Sequence, residues 1–144
     1  MTILDAYAVV AHLRDERAAD AVEAILVRDH CLMTALGLAE VTDRMVRLSG
    51  AVERELTSEL AALGLTEPVG VDASMALAAG SLRARHYSAR RRSVSMADFV
   101  GAAAARVFDE PLATCDPHLL DMCHEEQIPA IALPGPDGSV WAPA

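Results

Sequence analysis

Apolar positions along the chain come in two spacings. Short apolar runs at Thr2–Leu4, Cys31–Thr34, Pro68–Val71, Leu112–Cys115 and Ala130–Leu133 have the length and flanks of strands. Between them, apolar residues recur every three or four positions. This pattern predicts helices over Ala6–Leu13, Ala18–Val27, Leu36–Leu48, Val52–Leu63, Ala73–Arg85, Met96–Phe108 and Pro117–His124. Gly50 and Gly64 stand as stop signals behind two of these, and Asp72 is placed to N-cap the helix beginning at Ala73. Strands alternating with helices predict an α/β layer fold with a mostly parallel sheet, in which sites form beyond the carboxyl ends of the strands. The pattern runs over residues 1–133 as one domain. Residues 134–144, rich in Pro and Gly, read as a C-terminal tail with a turn at Asp137-Gly138.

Composition narrows the class. A chain of 144 residues, 53% apolar and 23% charged, suits one soluble globular domain and excludes a disordered chain. Aromatic residues are only 3%, so Ala, Val, Leu and Ile must build the core. Twelve basic against 21 acidic side chains give a net charge of −9, which argues against a nucleic-acid binder that works by bulk charge. It leaves open an enzyme whose own carboxylates hold cations. Every basic residue is Arg, so a P-loop lysine, a Schiff-base lysine and the lysine of a phosphoacceptor site are all excluded. No basic leader precedes the first apolar run, and no apolar stretch reaches the roughly 18 residues of a membrane span. With three cysteines, an odd number, the expectation is a reduced, cytoplasmic protein with free thiols.

Four acids fall where they can converge. Asp5 ends the first strand, Glu40 lies in the helix after the second, Asp98 opens a helix, and Asp116 follows the strand at Leu112–Cys115. Carboxylates gathered without a lysine repel one another unless a hard divalent cation such as Mg²⁺ or Mn²⁺ neutralises them. Such a site activates water for attack on a phosphodiester. Each acid also has a plainer reading. Asp98 completes a capping box with Ser95, Asp116 and Asp5 suit N-caps, and Glu40 suits a solvated helix face. The cap readings do not compete with metal binding, because a helix N-terminus favours an acidic side chain.

Arg83, Arg85, Arg90, Arg91 and Arg92 cluster with no acid among them. They read either as a solvated helix end or as contacts to RNA phosphates beside an acidic site. Cys115-x-x-His118 and Cys123-His124 are incomplete as a structural zinc site. Trp141 reads as a base-stacking residue or as one packed on its own domain.

The pieces Leu4-Asp5-Ala6-Tyr7-Ala8-Val9, Leu38-Ala39-Glu40-Val41, Ser95-Met96-Ala97-Asp98 and Thr114-Cys115-Asp116 together resemble, in order and separation, a PIN-domain ribonuclease, and within that group a VapC toxin of a type II toxin–antitoxin pair. The resemblance implies a PIN-like three-layer α/β/α fold with a small parallel sheet between helices, so that residues 1–133 form the PIN domain. It implies Asp5, Glu40, Asp98 and Asp116 as the catalytic, metal-binding acids of an endoribonuclease using Mg²⁺ or Mn²⁺, with Thr114 orienting Asp116 or a water. It also implies cleavage of transfer or ribosomal RNA that arrests translation, a toxin homodimer, and a cognate antitoxin inserting a peptide near the acids. Tyr7 departs from the pattern, which often has Ser or Thr there. Asp43 and Asp121 are spare acids placed to join as outer ligands. The reading from a different class is a PIN-like module that holds RNA or a protein without cutting it.

Overall fold

The computed structural model describes residues 1–144. In chain order the elements are β1 (Thr2–Leu4), α1 (Ala6–Leu13), α2 (Ala19–Arg28), β2 (Cys31–Leu32), α3 (Ala35–Ser49), α4 (Glu53–Ala62), α5 (Ala73–His86), α6 (Met96–Phe108), β3 (Leu112–Thr114), α7 (Pro117–Glu125) and β4 (Ala130–Ala132). The strands form one sheet in the order β2-β1-β3-β4, every pairing parallel.

Period-two alternation in the strands assigns the layers. Leu4 of β1 and Ala113 of β3 face a core with α1, α2, α3 and α4, built on Val9, Val22, Val41 and Leu60. Ile3 and Leu112 point to the opposite face, into a core with α5, α6 and α7 that includes Leu82, Phe99 and Met122. The result is the expected three-layer α/β/α arrangement. Scarce aromatics are offset by close approach. Ala102, Ala103, Ala104 and Ala105 of α6 are all fully buried, with Phe99 the largest side chain buried beside them. Small side chains let backbones come together without voids.

The expected strand at Pro68–Val71 is reduced to a single bridge, Val69 to Thr34. Val69 exchanges hydrogen bonds with its neighbour, donating to Met33 (2.9 Å) and accepting from Ala35 (2.9 Å). Pro68 before it has no N–H to extend the ladder. The strand expected to end at Thr34 stops at Leu32, because Thr34 serves as a cap instead: its hydroxyl accepts from Gly37 N (3.1 Å) and starts α3. The tail makes the expected turn, with Gly138 at φ +84° and its N–H donating to the Gly135 carbonyl (2.9 Å). Trp141 packs on its own domain. Its indole donates to Asp121 (2.8 Å), and its ring meets His124 edge-on at 6.0 Å between centroids.

Chain order places a crevice. From β1 the chain moves out to β2, then returns through α3–α6 to β3 on the other side of β1. Connections on either side of β1 therefore leave in opposite directions, and the carboxyl ends of β1 and β3 flank a topological switch point.

At the far ends of α5, α6 and α7 lies a charge network. Glu126 binds Arg106 (2.8 Å), Arg85 (2.8 Å) and His86 Nε2 (2.6 Å), while Glu125 binds Arg92 (2.7 Å). Arg106, then His86 and Arg85, hold the Glu126 carboxyl down to about 2 from its ordinary 4.5. A carboxyl with a depressed folded pKa contributes stability above its unfolded value and loses it on acidification. The contribution of Glu126 is therefore expected to be complete above about pH 4.5 and to fade toward pH 2. Glu126→Gln should lower stability near neutrality and make the acid limb of a urea-unfolding profile shallower. An acid limb unchanged by the substitution would contradict the linkage.

Candidate active site

Asp5 follows β1 directly and N-caps α1, its Oδ1 accepting from Ala8 N at 2.7 Å. A cap must sit where the strand hands over to the helix, so this bond fixes the carboxylate at the carboxyl end of the sheet. Asp5 is 8% exposed. Asp116 does the same after β3. Its Oδ1 accepts from His118 N (2.8 Å) and Leu119 N (3.4 Å), Pro117 opens the helix behind it, and Oδ2 has no protein partner. Asp98 closes a capping box with Ser95. Oδ2 takes the Ser95 hydroxyl (2.6 Å) and N–H (3.2 Å), and Oδ1 is left without a protein partner. Glu40 comes from the second turn of α3 and is bound by Arg44, one turn further on, at 2.7 Å.

These side chains meet. Asp5, Glu40, Asp98 and Asp116 line one cavity of about 160 Å³, walled also by Tyr7, Arg44 and Cys115. Thr114, fully buried, ties the strand ends together: its hydroxyl bonds the Asp5 carboxyl and accepts from Asp116 N at 3.1 Å. The cap readings and the site reading hold for the same residues, because the caps are what aim the acids at the switch point.

The electrostatics follow from this crowding. Burial pushes Asp5 up to about 7, against the hydrogen bonds from Thr114 and Ala8 and with the charges of Asp98 and Glu40 adding to it. Asp98 is raised as well, first by burial, with Ser95 opposing and the Asp116 charge assisting. A cavity lined by four carboxyl groups and a single guanidinium is short of positive charge. Its donors are hard oxygens, among them the uncommitted Asp98 Oδ1, Asp116 Oδ2 and Glu40 Oε2, which suits a hard divalent cation. No three of the acids are drawn into a closed ligand set. Glu40 is instead turned to Arg44, and Asp98 and Asp116 each hold one oxygen on a helix cap.

The arginine cluster lies elsewhere. Along α6, Asp98 and Arg106 are eight residues apart, about 12 Å at 1.5 Å per residue. Arg85 and Arg92 belong to the network at the Arg106 end, bound to Glu126 and Glu125. Arg83 stacks over Tyr87, 3.9 Å from the ring centroid. Arg83 has no acidic partner and is half-buried, while Arg90 and Arg91 are exposed and likewise without one, at the tip of a tight hairpin closed by Ser88 and Arg92. None of the five lines the acidic cavity.

The spare acids do not line the cavity. Asp43 is exposed and paired twice with Arg47 (3.0 and 2.8 Å), and Asp121 holds Trp141. The i+4 neighbour of Glu40, not the i+3 neighbour, shares its cavity, and sequence reading passed over Arg44 although its spacing was a usable signal. Cys115 and Cys123 behave as small apolar side chains, their thiols pushed up by burial to about 11 and about 12.

The fold is shared with solved structures. The chain is similar to a toxin–antitoxin complex from Klebsiella pneumoniae (TM-score 0.61, 16% identity, 81% of this chain and 87% of that one). It is similar to FitAcB from Neisseria gonorrhoeae (0.65, 17%, 91% and 96%). It is also similar to VapC20 from Mycobacterium tuberculosis, a sarcin–ricin loop cleaving toxin (0.61, 14%, 78% and 87%). At these identities the likeness is one of fold. No curated protein matches the chain by sequence. The family model of the PIN domain matches residues 2–125, which include all four acids of the cavity, and the chain belongs to the PIN domain family.

Proposed function

We propose that this protein is a metal-dependent endoribonuclease, the toxin of a VapC-type toxin–antitoxin pair, that cuts transfer or ribosomal RNA and so arrests translation. The observation that carries the reading is the convergence of Asp5, Glu40, Asp98 and Asp116, from four separate elements, on one cavity at the switch point of the sheet. A non-cutting module has no need of that convergence. Among the structures of like fold, one is a toxin–antitoxin complex and one a sarcin–ricin loop cleaving toxin, which supports a protein partner and an RNA substrate. A homodimer and a cytoplasmic setting complete the proposal on the resemblance and on the reduced thiols. No helix is long and apolar enough to cross a membrane.

Asp5, Asp98 and Asp116, with Glu40 once it turns from Arg44, would hold Mg²⁺ or Mn²⁺. When bound, the cation supplies Lewis-acid chemistry for phosphodiester hydrolysis. The chain's own groups prepare the place. Ala8 N and Thr114 fix the Asp5 carboxyl, and Ser95 fixes Asp98 with Oδ1 facing free. Thr114 also pins the backbone from which Asp116 projects. Asp5 keeps its proton near neutrality while the cavity lacks a cation and releases it when positive charge arrives.

Asp5→Asn, Asp98→Asn and Asp116→Asn each preserve shape and remove the charge a hard cation needs. Each is expected to lower RNA cleavage at least a hundredfold in purified, folded protein, and EDTA to do the same to the parent. Undiminished cleavage at any position removes that residue from the site. RNA that is bound but uncut by the parent in Mn²⁺ would favour the binding module.

The pH dependence of stability carries a separate sign. Asp5 has a folded pKa of about 7 against an ordinary 3.8, so the folded state holds the extra proton between those values. Metal-free stability should therefore fall as pH rises from about 4 to about 7 and level off beyond. Asp5→Asn should flatten this slope, and added Mn²⁺ should restore stability near neutrality, by about 2.7 kcal/mol at a hundredfold excess over Kd. Melting temperatures against pH, with EDTA and with Mn²⁺, test this; superimposed curves would mean that the acids do not share a cation.

Arg90 and Arg91, exposed at the hairpin tip, are the arginines of the segment placed to meet RNA phosphates. Arg90 and Arg91 together changed to Gln should weaken RNA binding and reduce its salt slope by up to about two. Arg85→Gln should act chiefly on melting temperature, since its partner is Glu126. A salt slope unaltered by the Arg90 and Arg91 changes would remove the hairpin tip from the RNA surface.

A further inference from the structure

The cavity contains four carboxylates and one cation of its own, Arg44. Two arginines one turn after an acid on α3 allow a comparison. Arg47 grips Asp43 with two nitrogens on two oxygens (3.0 and 2.8 Å), and the pair lies out in solvent. That is a pair closed on itself. Arg44 gives Glu40 a single hydrogen bond, Nη2 to Oε1 at 2.7 Å, and the rest of its fork meets no protein acceptor. It is less exposed than Arg47, 38% against 61%, and it faces the cavity. Its charge reaches across to Asp98.

An anionic strand entering this cavity meets the carboxylates of Glu40, Asp98 and Asp116, which repel it. The arginines of the 83–92 segment offer no help there, since none of them lines the cavity. A guanidinium with free donors beside the carboxylates matches a phosphate's oxygens in geometry and charge. Glu40 keeps that guanidinium in place while the cavity is empty.

We propose that Arg44 is the substrate-binding residue of this cavity, holding a phosphodiester of the bound strand against the carboxylates through the donors Glu40 leaves free. The assignment rests on the nuclease reading of the same cavity. It separates two arginine roles: Arg44 engages the strand at the carboxylates, and Arg90 and Arg91 act away from them. It also sets Arg44 against a bound cation as competitors for Glu40.

The test uses the full chain with Arg44→Gln, Arg44→Lys and, as control, Arg47→Gln, each checked for folding by its melting curve. The probe is a fluorescent single-stranded RNA of mixed sequence, followed by anisotropy in EDTA over a range of salt. Mn²⁺ binding to the RNA-free protein is read by calorimetry. Arg44→Gln should weaken RNA binding roughly tenfold and lower the salt slope by about one. Arg44→Lys should keep the slope and recover part of the affinity, because the point charge remains while the fork is lost. Arg47→Gln should leave both unchanged. Mn²⁺ should bind Arg44→Gln at least as tightly as the parent. In Mn²⁺, KM should rise more than kcat falls. A folded Arg44→Gln with parental affinity and salt slope would overturn the proposal, as would a loss confined to Mn²⁺ binding, which would leave Arg44 serving Glu40 alone. The nuclease reading fails on a different result, full cleavage by the Asp5, Asp98 or Asp116 variants, so the two failures are distinguishable.

Discussion

Backbone amides at the starts of helices hold three of the four carboxylates of the cavity, and the cavity exists because of those bonds. An acid left free at the end of a buried strand would turn to water. Here Asp5 is kept inside by Ala8 N, and Asp116 is kept beside it by the first amides of α7. Each bond satisfies a helix donor that has no partner within its own helix, and the helix dipole lowers the cost of the negative charge. The interactions that start α1, α6 and α7 are thus the ones that collect negative charge at one end of the sheet. Burial, with the neighbouring charges adding to it, then leaves Asp5 holding its proton to about pH 7.

Two of these helices, α6 and α7, balance their charge differently at the other end. α6 and α7 start at acids and finish in the network of Arg106, Arg85, His86, Arg92, Glu125 and Glu126. Cations there also suit the helix C-termini. Opposite signs therefore meet at the finishing end, while at the starting end like charges accumulate. A chain with excess acid has placed its most complete pairing away from the cavity and left the cavity under-compensated.

Much of this was legible in the residues. The strand ends at Asp5 and Asp116, the capping box at Ser95 and the cap at Asp72 are local signals, and each appears where local chemistry puts it. The assignment of Ile3 and Leu4 to opposite layers also follows from alternation alone. Pro68–Val71 misled because a short apolar run does not reveal whether a neighbour can supply a ladder. The ion pairs of the arginine segment were hidden for a related reason. In sequence it holds no acid, and its partners Glu125 and Glu126 come from more than thirty residues away. Arg44 was hidden by ordinariness: an i+4 pair on a helix looks like surface decoration until the opposite wall of the cavity is known.

Alanine has no rotamers. The run Ala102–Ala105 in α6 is fully buried, so the middle of the rod that carries Asp98 contacts its surroundings through methyl groups that cannot reorient. Longer side chains absorb small displacements by hopping between wells; methyls do not. Asp98 is therefore mounted on a stiff part, and a change in its distance from Asp5 or Asp116 requires α6 to slide or tilt as a body over Leu112 of the sheet. Adjustment of the cavity falls to the longer side chains at its mouth, Glu40 and Arg44 on α3, whose several torsions give that wall the play the α6 wall lacks.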